Sequence, residues 1–198
     1  MAKARTKLDP AHVLLQLKIT LLDIRPSIWR RLLVPAKIRL PQFHTALQRA
    51  FGWTNSHLHA FQIKDDSYEA FYPDDWSEDT YGPGQRRDEK MFRLCDLLHA
   101  KGDRLTYEYD FGDSWRHKIL VEKVLPGAPS KVVTCLAGAR ACPPEDCGSI
   151  PGYYNLVAAM ADPKHPEREE LLNWLGESFA SEAFNLEMVN FLLSRIKL

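Results

Sequence analysis

The densest group of chemically versatile side chains lies in one short segment near the middle of the chain. The stretch Tyr107–His117 reads Tyr-Glu-Tyr-Asp-Phe-Gly-Asp-Ser-Trp-Arg-His and has the pattern of a tight hairpin. Loops that carry such residues on a rigid scaffold are usually kept for binding or chemistry. We therefore take Asp110, Asp113, Trp115 and His117 as candidate binding residues.

Charge pairing predicts the register of this hairpin. A three-residue loop over 112–114 would pair Asp110 with Arg116 and Tyr109 with His117, and it would place opposite charges together on one face. Loops of two or four residues would mix charges into the apolar face, because side chains alternate between the faces of a strand. We expect His117 to face inward beside Tyr109 and Asp110 to face solvent, which weakens a metal site shared by Asp110 and His117.

A second candidate is the pair His57 and His59. The two imidazoles lie on the same side of a predicted strand, roughly 6.5 Å apart along it, an arrangement that can chelate a cation. Phe61 and Ile63 share that face. Two partly buried histidines satisfied by hydrogen bonds are therefore the alternative.

Three cysteines form the third candidate, with Cys135, Cys142 and Cys147 inside 13 residues. Such thiols in a cytoplasmic chain indicate a metal or redox chemistry more than a structural disulfide. The spacing differs from that of common zinc sites, so Cys95 or a histidine would have to complete a tetrahedral zinc site. Thiols packed in the core or in loops are the alternative.

A carboxylate-rich site is a fourth possibility. Asp110 and Asp113 would contribute from the hairpin, and Glu145 and Asp146 from the cysteine-containing segment. Sequence alone does not establish that these segments meet.

Charge is distributed unevenly along a chain that is neutral overall. The first 50 residues carry a net charge of +8 and the remaining 148 carry −8. Arg25, Arg30 and Arg31, with Trp29 and Trp53 among them, could form a basic and aromatic surface for nucleic acid. If the two parts interleave in the fold, their charges cancel, and Trp29 would then belong to the core.

Several functional classes lack support in the sequence. The chain contains no P-loop, no Gly-x-Gly-x-x-Gly, no Gly-x-Ser-x-Gly and no His-Glu-x-x-His motif. Its longest apolar run, Leu156–Ala161, has six residues, whereas a membrane span needs roughly 18. The start is basic, like the first part of a signal peptide, but the stretch that follows is broken by Gln16 and Lys18 and lacks a small-residue cleavage site. We expect a cytoplasmic protein that does not span a membrane.

The positions of the predicted elements indicate the fold class. Alternating apolar and polar residues predict strands over 13–21, 28–34 and 57–63, with a helix over about 41–52 between the second and third. Further helices are predicted over 153–161, 166–176 and 185–197. Strands that mostly precede helices predict an α+β fold: a mainly antiparallel sheet with one early helix and a C-terminal cluster of helices.

The composition suits a single domain over residues 1–198. At 45% hydrophobic and 26% charged residues, the chain can form one sizeable core, which we place at about 12–195, after a flexible basic N-terminus at 1–10. Residues 64–90 are predicted to form a surface loop. Its acidic and aromatic part, 65–81, could dock a protein partner.

Four motifs in order carry a family resemblance. They are Ile24–Arg31, Gly52–His59, Tyr109–His117 and Ala141–Gly148. Together they closely resemble the plasmid pRiA4b ORF-3-like family over about residues 12–195. The resemblance implies a compact α+β domain of bacteria and archaea, sometimes linked to plasmids and transposable elements, without an established activity. The chain departs from the family pattern at Ser149, where a second glycine is common.

Two functional hypotheses follow. The first is a non-enzymatic binding or accessory module that acts near nucleic acid or a protein partner and is linked to mobile elements. The alternative is a metal-dependent enzyme that uses His57, His59, Asp113, His117 and the loop Cys142–Cys147, with zinc as the possible cofactor. The oligomeric state is open.

Overall fold

The computed structural model of the chain describes residues 10–71, 85–127 and 132–198. Within them, eight strands form one sheet in the order β5-β4-β3-β6-β7-β1-β2-β8. The strands are β1 (Val13–Leu21), β2 (Trp29–Pro35), β3 (His59–Ile63), β4 (Asp66–Glu69), β5 (Arg86–Asp88), β6 (Arg104–Tyr109), β7 (Trp115–Pro126) and β8 (Thr134–Ala139). The α-helices are α1 (Leu40–Phe51), α2 (Leu94–Leu97), α3 (Ser149–Ala161), α4 (Arg168–Leu175) and α5 (Leu186–Leu193).

Strand β1 shows how the sequence builds the centre of the sheet. Its burial alternates strictly, with every odd-numbered residue from Val13 to Leu21 buried, as the period of two predicts. It pairs antiparallel with both β2 and β7. The strand is therefore central, with one apolar face packed into the core.

Helix α1 forms where the sequence predicts it. Pro41 lies in its first turn, and Gly52 ends it in the left-handed conformation with φ 99°. Phe43, Leu47 and Phe51 recur every four residues and are buried in the same apolar cluster as the odd-numbered side chains of β1. The helix therefore packs on the buried face of the sheet.

On the opposite face of the central strands, none of the described helices provides such cover. The side chains of β1 that point there, including Gln16, Lys18 and Thr20, are all partly exposed. Arg31 on β2 and Thr106 on β6 share this face and are partly exposed as well. An antiparallel sheet commonly keeps one face solvated in this way.

The α+β class and the mainly antiparallel sheet are confirmed, with two corrections. Helix α2 lies in the middle of the chain, so the helices are not confined to one early helix and a C-terminal cluster. Strands β4 and β5, which pair in parallel, fall inside the region 64–90 that the sequence predicts to be a loop. Short elements of three or four residues are too brief to show a periodic pattern. Most of the predicted docking segment, from residue 72 onward, lies outside the described residues.

Candidate functional site: the loops around His57

The hairpin formed by β6 and β7 has the predicted parity but a longer loop. Tyr109 pairs with Trp115 and Tyr107 pairs with His117, so five residues, 110–114, connect the strands. The register therefore differs by two residues from the one that charge pairing predicts. His117 faces inward as expected, and it lies opposite Tyr107 instead of Tyr109.

Asp110 is buried at 7% exposure, which corrects the prediction that it faces solvent. Its backbone lies in the left-handed region at φ 58°, and its N–H donates to the carbonyl of Leu58 at 2.9 Å. The carboxylate Oδ1 accepts a hydrogen bond from the N–H of Gly112 at 2.9 Å. Asp110 is the first residue of the loop and no longer alternates with the strand, so its second oxygen, Oδ2, is directed toward His57.

The segment 141–148 brings two more carboxylates to the same place. Trp53 holds this segment by donating from its indole Nε1 to the carbonyl of Pro143 at 3.0 Å. On the other side, Gly152 in the first turn of α3 lies so close that a Cβ there would be 1.8 Å from the carbonyl oxygen of Cys147. Only glycine permits that approach. The segment is therefore fixed at both ends, with Glu145 and Asp146 beside the hairpin loop.

His57 lies at the centre of these acids. Its Nε2 is 3.1 Å from Asp146 Oδ1, 3.8 Å from Asp110 Oδ2 and 3.8 Å from Glu145 Oε2. None of these contacts has hydrogen-bond geometry, so Nε2 is buried without a hydrogen-bond partner in the described structure. One donor atom each from His57, Asp110 and Asp146 lie within 4.8 Å of one another. We call these three residues the His57 cluster.

Glu145 borders the cluster and is already held by neutral donors. Its Oε1 accepts from the backbone N–H of Thr54 at 2.8 Å and from the hydroxyl of Tyr109 at 3.0 Å. Burial and the hydrogen bond to Glu145 raise the pKa of the Tyr109 phenol, which therefore stays a donor. The same phenol oxygen accepts from the N–H of Ser56 at 3.0 Å, which ties the loop before His57 to β6.

The backbone around the cluster is unusually strained. Among the described residues, eight non-glycine residues have positive φ, and five of them lie in the three loops that surround His57 or at the first residue of α3. These five are Asn55, Asp110, Ser114, Asp146 and Ser149. Such conformations cost of order 1–3 kcal/mol each and concentrate at functional sites. Their concentration here supports a functional role for these loops.

His59 belongs to a different environment from His57, although the sequence predicts one shared face. Its Nε2 lies 2.9 Å from Glu89 Oε2, and its ring stacks on His44 with centroids 3.5 Å apart. Strand β3 begins only at His59, so His57 lies in the preceding loop and does not follow the alternation. The two histidines therefore do not chelate one ion.

His44 belongs to a closed ring of hydrogen bonds that joins four residues. Gln48 Nε2 donates to the Tyr107 hydroxyl at 3.0 Å, and that hydroxyl donates to His44 Nδ1 at 2.8 Å. His44 Nε2–H then donates to Asn55 Oδ1 at 2.6 Å, and the Asn55 N–H returns to Gln48 Oε1 at 2.9 Å. Burial and the nearby imidazole of His59 lower the pKa of His44 to about 3, so the ring keeps a neutral histidine. We call these four residues the His44 ring.

His117 and Trp115, two candidate binding residues, are core side chains at 0% and 1% exposure. Burial lowers the pKa of His117 to about 3, and its Nδ1 lies 3.3 Å from the carbonyl of Tyr107. Asp113 does not join the His57 cluster; its carboxylate accepts from the N–H of Gly148 at 3.2 Å. Of the hairpin candidates, only Asp110 reaches His57.

The structure does not bring the three cysteines together as a zinc site. All four cysteines of the chain are free, and the His57 cluster is the only group of possible metal ligands that the described residues form. Burial raises the pKa of Cys135 and raises that of Cys142 well above its usual range. Burial also raises the pKa of Cys147 to about 12, so these thiols are protonated and pack as small apolar groups.

The predicted arginine surface is corrected as well. Arg30 is buried at 3% exposure, and its guanidinium donates only to backbone carbonyls, including those of Ala50 and Arg140. Arg31 pairs with Glu122 at 2.6 Å. Alternation along β2 explains the difference, because neighbouring residues of a strand point to opposite faces.

The remaining candidates are dispersed. Arg25 lies in the exposed turn between β1 and β2, where its N–H donates to the hydroxyl of Tyr154. Trp29 is half-buried on the uncovered side of the sheet, whereas Trp53 is a core residue at 6% exposure. These residues do not form one surface.

Sequence reasoning missed the pairing of Asp146 with His57 and the whole His44 ring. His44 and Gln48 are spaced by four residues on the buried face of α1, a signal of a polar pair inside the core.

Three acids of the possible carboxylate-rich site, Asp110, Glu145 and Asp146, do meet, and Asp113 does not join them. No local signal places His57 among them, because these residues are far apart in the sequence.

The comparisons with known proteins agree with this architecture. The chain is similar in fold to a protein of unknown function, MM3350, from Methanosarcina mazei Go1. The TM-score is 0.75 at 31% identity, with 89% of this chain and 96% of that chain covered. The uncharacterized protein y4hQ of Sinorhizobium fredii (strain NBRC 101917 / NGR234) is 37% identical over 176 residues, which is 88% of each protein.

The family model for plasmid pRiA4b ORF-3-like protein matches residues 13–188. The chain belongs to the plasmid pRiA4b ORF-3-like family, as its motifs indicate. In the described part of the chain, helices long and apolar enough to cross a membrane are absent.

Proposed function

We propose that this protein binds a divalent transition-metal ion through the His57 cluster. The observation that carries the proposal is the buried Nε2 of His57, which lacks a hydrogen-bond partner and faces carboxylate oxygens of Asp110 and Asp146. A buried polar atom without a partner is rare in native proteins and calls for an explanation, such as an ion. Ligand atoms within 4.8 Å of one another need only small side-chain rotations to close on a cation.

The donor set indicates the type of metal. One imidazole nitrogen with two carboxylate oxygens suits Zn²⁺, Mn²⁺ or Fe²⁺, whereas Mg²⁺ and Ca²⁺ prefer oxygen ligands only. Three protein ligands leave coordination positions open, as in catalytic metal sites. When bound, such an ion would polarise a carbonyl or phosphoryl oxygen or activate a water molecule. This supports the metal-dependent enzyme hypothesis, with ligands that differ from most of those the sequence suggests.

Isothermal titration of the chelator-treated protein with Mn²⁺ and with Zn²⁺ tests the proposal. We expect stoichiometric binding by the wild type and at least a hundredfold weaker binding by the variants His57→Ala and Asp110→Asn. Asp113→Asn is the matched control, since it removes the same charge from the same hairpin loop outside the cluster. Cys142→Ala tests the rival thiol site, and we expect it to retain the metal.

Each result separates the alternatives. Equal losses in Asp110→Asn and Asp113→Asn would point to nonspecific attraction by the acidic loops. Loss of metal binding in Cys142→Ala alone would show that the cysteine thiols are the ligands. A wild type that binds neither ion would overturn the proposal.

The accessory-module hypothesis, with its link to mobile elements and its cytoplasmic location, stays a prediction. Its protein-docking version rests on residues 65–81. Deleting 72–81, which the sequence predicts to be part of a surface loop, should abolish partner binding and leave the thermal midpoint nearly unchanged. A lowered midpoint with binding retained would contradict this version.

A further inference from the structure

The uncovered face of the sheet carries a second feature that is independent of the His57 cluster. On the four central strands β6, β7, β1 and β2, directly paired residues put their side chains on the same face. One row across these strands runs from Arg104 through Leu120 and Lys18 to Arg31. The adjacent row runs from Thr106 through Lys118 and Thr20 to Trp29. We call this surface the open sheet face.

The open sheet face is strongly basic. Its cations on these four strands are Lys18, Arg31, Arg104, Arg116, Lys118 and Lys123. Against them stand two carboxylates, Glu108 and Glu122, which leaves an excess of four positive charges. A neutral chain therefore concentrates positive charge on one uncovered surface, to which a polyanion would be attracted.

Few of these cations are neutralised. Arg31 is held by Glu122, and the hydrogen bond from Arg31 lowers the pKa of Glu122 to about 2. Arg116 contacts Asp23 at 3.1 Å in an exposed pair, which contributes little. Lys18, Arg104 and Lys118 form no ion pair with any described residue. Their charges are available to a ligand.

Trp29 adds a stacking surface to this charge. It is half-buried, and both the Lys18 ammonium and the Arg31 guanidinium lie 5.2 Å from its ring centroid. Aromatic side chains among basic residues are the features with which sheet surfaces bind unpaired bases. Duplex readers instead insert a helix or a two-stranded ribbon into the major groove, whereas the residues of this face lie on four paired strands within the sheet.

We propose that the open sheet face binds single-stranded nucleic acid, with its lysines and arginines on the phosphates and Trp29 stacked on a base. The site differs from the surface predicted by sequence, because Arg30 and Trp53 point to the core and Arg104, Lys118 and Lys123 come from a later part of the chain. Nucleic-acid binding at this face requires no metal, so its test does not depend on whether the His57 cluster binds an ion.

Fluorescence anisotropy with labelled 12-nucleotide oligothymidylate and oligouridylate, at salt concentrations from 50 to 200 mM, tests the proposal. The variant Lys18→Glu/Arg104→Glu/Lys118→Glu is compared with Lys64→Glu/Lys164→Glu/Lys197→Glu, which changes the net charge equally at exposed positions away from the face. We expect at least a tenfold loss of affinity in the first variant and little change in the second. The slope of log affinity against log salt should become shallower by about 2, at about 0.7 for each lost phosphate contact.

A second pair of variants tests the stacking. Trp29→Ala should weaken binding about tenfold, whereas Trp174→Ala, which removes an exposed tryptophan from α4, should leave it unchanged. Circular dichroism and metal titration of the same variants show whether the fold and the His57 cluster are intact.

Three results would overturn the proposal: no binding of either oligonucleotide by the wild type at 50 mM salt, equal losses in the two charge variants, or equally tight binding of a duplex. A preference between the two oligonucleotides would show whether DNA or RNA is the ligand, and either outcome supports the site.

Discussion

His44 and His57 have contrasting environments, although each of them contacts a tyrosine of β6, Tyr107 and Tyr109 respectively. Both nitrogens of the His44 imidazole have hydrogen-bond partners, Tyr107 and Asn55, and this imidazole stacks on that of His59. The Nε2 of His57 has no hydrogen-bond partner and faces carboxylates instead. Asn55 belongs to the His44 ring and lies only two residues before His57, so the ring fixes the loop that presents the cluster.

The difference separates structure from function. A buried polar network whose members are all satisfied stabilises a unique core. A buried polar atom that lacks a partner lowers stability unless something else binds it. We therefore expect the His44 ring to govern the free energy of unfolding and the His57 cluster to govern the binding of metal.

The largest expected effect is on stability. Replacing His44 with leucine leaves the proton of the buried Tyr107 hydroxyl without an acceptor and removes the hydrogen bond to the exposed Asn55, so we expect the free energy of unfolding to fall by about 3 kcal/mol. His57→Leu removes a nitrogen that makes no hydrogen bond and should change the free energy of unfolding by less than about 0.5 kcal/mol without metal. Urea denaturation in chelator measures both. Equal losses in the two variants would erase the distinction between the two regions.

Metal should remove most of the difference in stability between these two variants. An ion that binds only the folded state stabilises it by about 2.7 kcal/mol at a hundred times its dissociation constant. We expect this gain for the wild type and for His44→Leu, and none for His57→Leu. Thermal unfolding with and without Mn²⁺ provides the measurement. If His57→Leu gained as much stability as the wild type, His57 would not be a ligand.

The pH dependence of stability should also depend on the His44 ring. The unfolded chain protonates His44 near pH 6.5, whereas the folded chain holds it neutral down to about pH 3. The unfolded state thus binds more protons in this window, so stability is complete above pH 6.5 and falls as the pH decreases. Replacing His44 with glutamine should reduce the slope between pH 4 and 6 by about 1.4 kcal/mol per pH unit. Denaturation at several pH values tests this, and an unchanged slope would contradict it.

The smallest effect should come from Tyr109, whose hydroxyl donates to Glu145 at the border of the His57 cluster. Tyr109→Phe removes hydrogen bonds to Glu145 and Ser56, while Thr54 still holds Glu145. We expect a loss of about 1 kcal/mol in stability and only a few-fold weaker metal binding. Titration calorimetry of this variant beside the wild type measures it. A loss as large as that of His57→Ala would make Tyr109 or Glu145 part of the ligand set.

The predictions that succeeded depend on local patterns. Helix α1 follows from its proline, its apolar spacing and Gly52, and β1 follows from strict alternation. The inward direction of His117 follows from hairpin parity. Each of these signals lies within one element, where the geometry of the backbone fixes which side chains share a face.

The predictions that failed concern loops and long-range placement. Asp110 was expected in solvent because a three-residue loop would have kept it in the strand, and the five-residue loop moved it out of the alternation. Arg30 was expected on the surface because of its charge, whereas β2 points it to the core, where backbone carbonyls accept its hydrogen bonds. Neither outcome has a signature in the neighbouring residues.

The family, the α+β class, the central strand and the early helix all follow from the sequence, because motifs and periodicity are local properties of the chain. Three features depend on the folded chain: Asp110 and Asp146 meet at His57, His59 contacts Glu89 instead, and cations from four strands share one open face. These contacts join residues far apart in the chain. Their formation depends on strand order, loop length and left-handed backbone turns, which only the complete fold fixes.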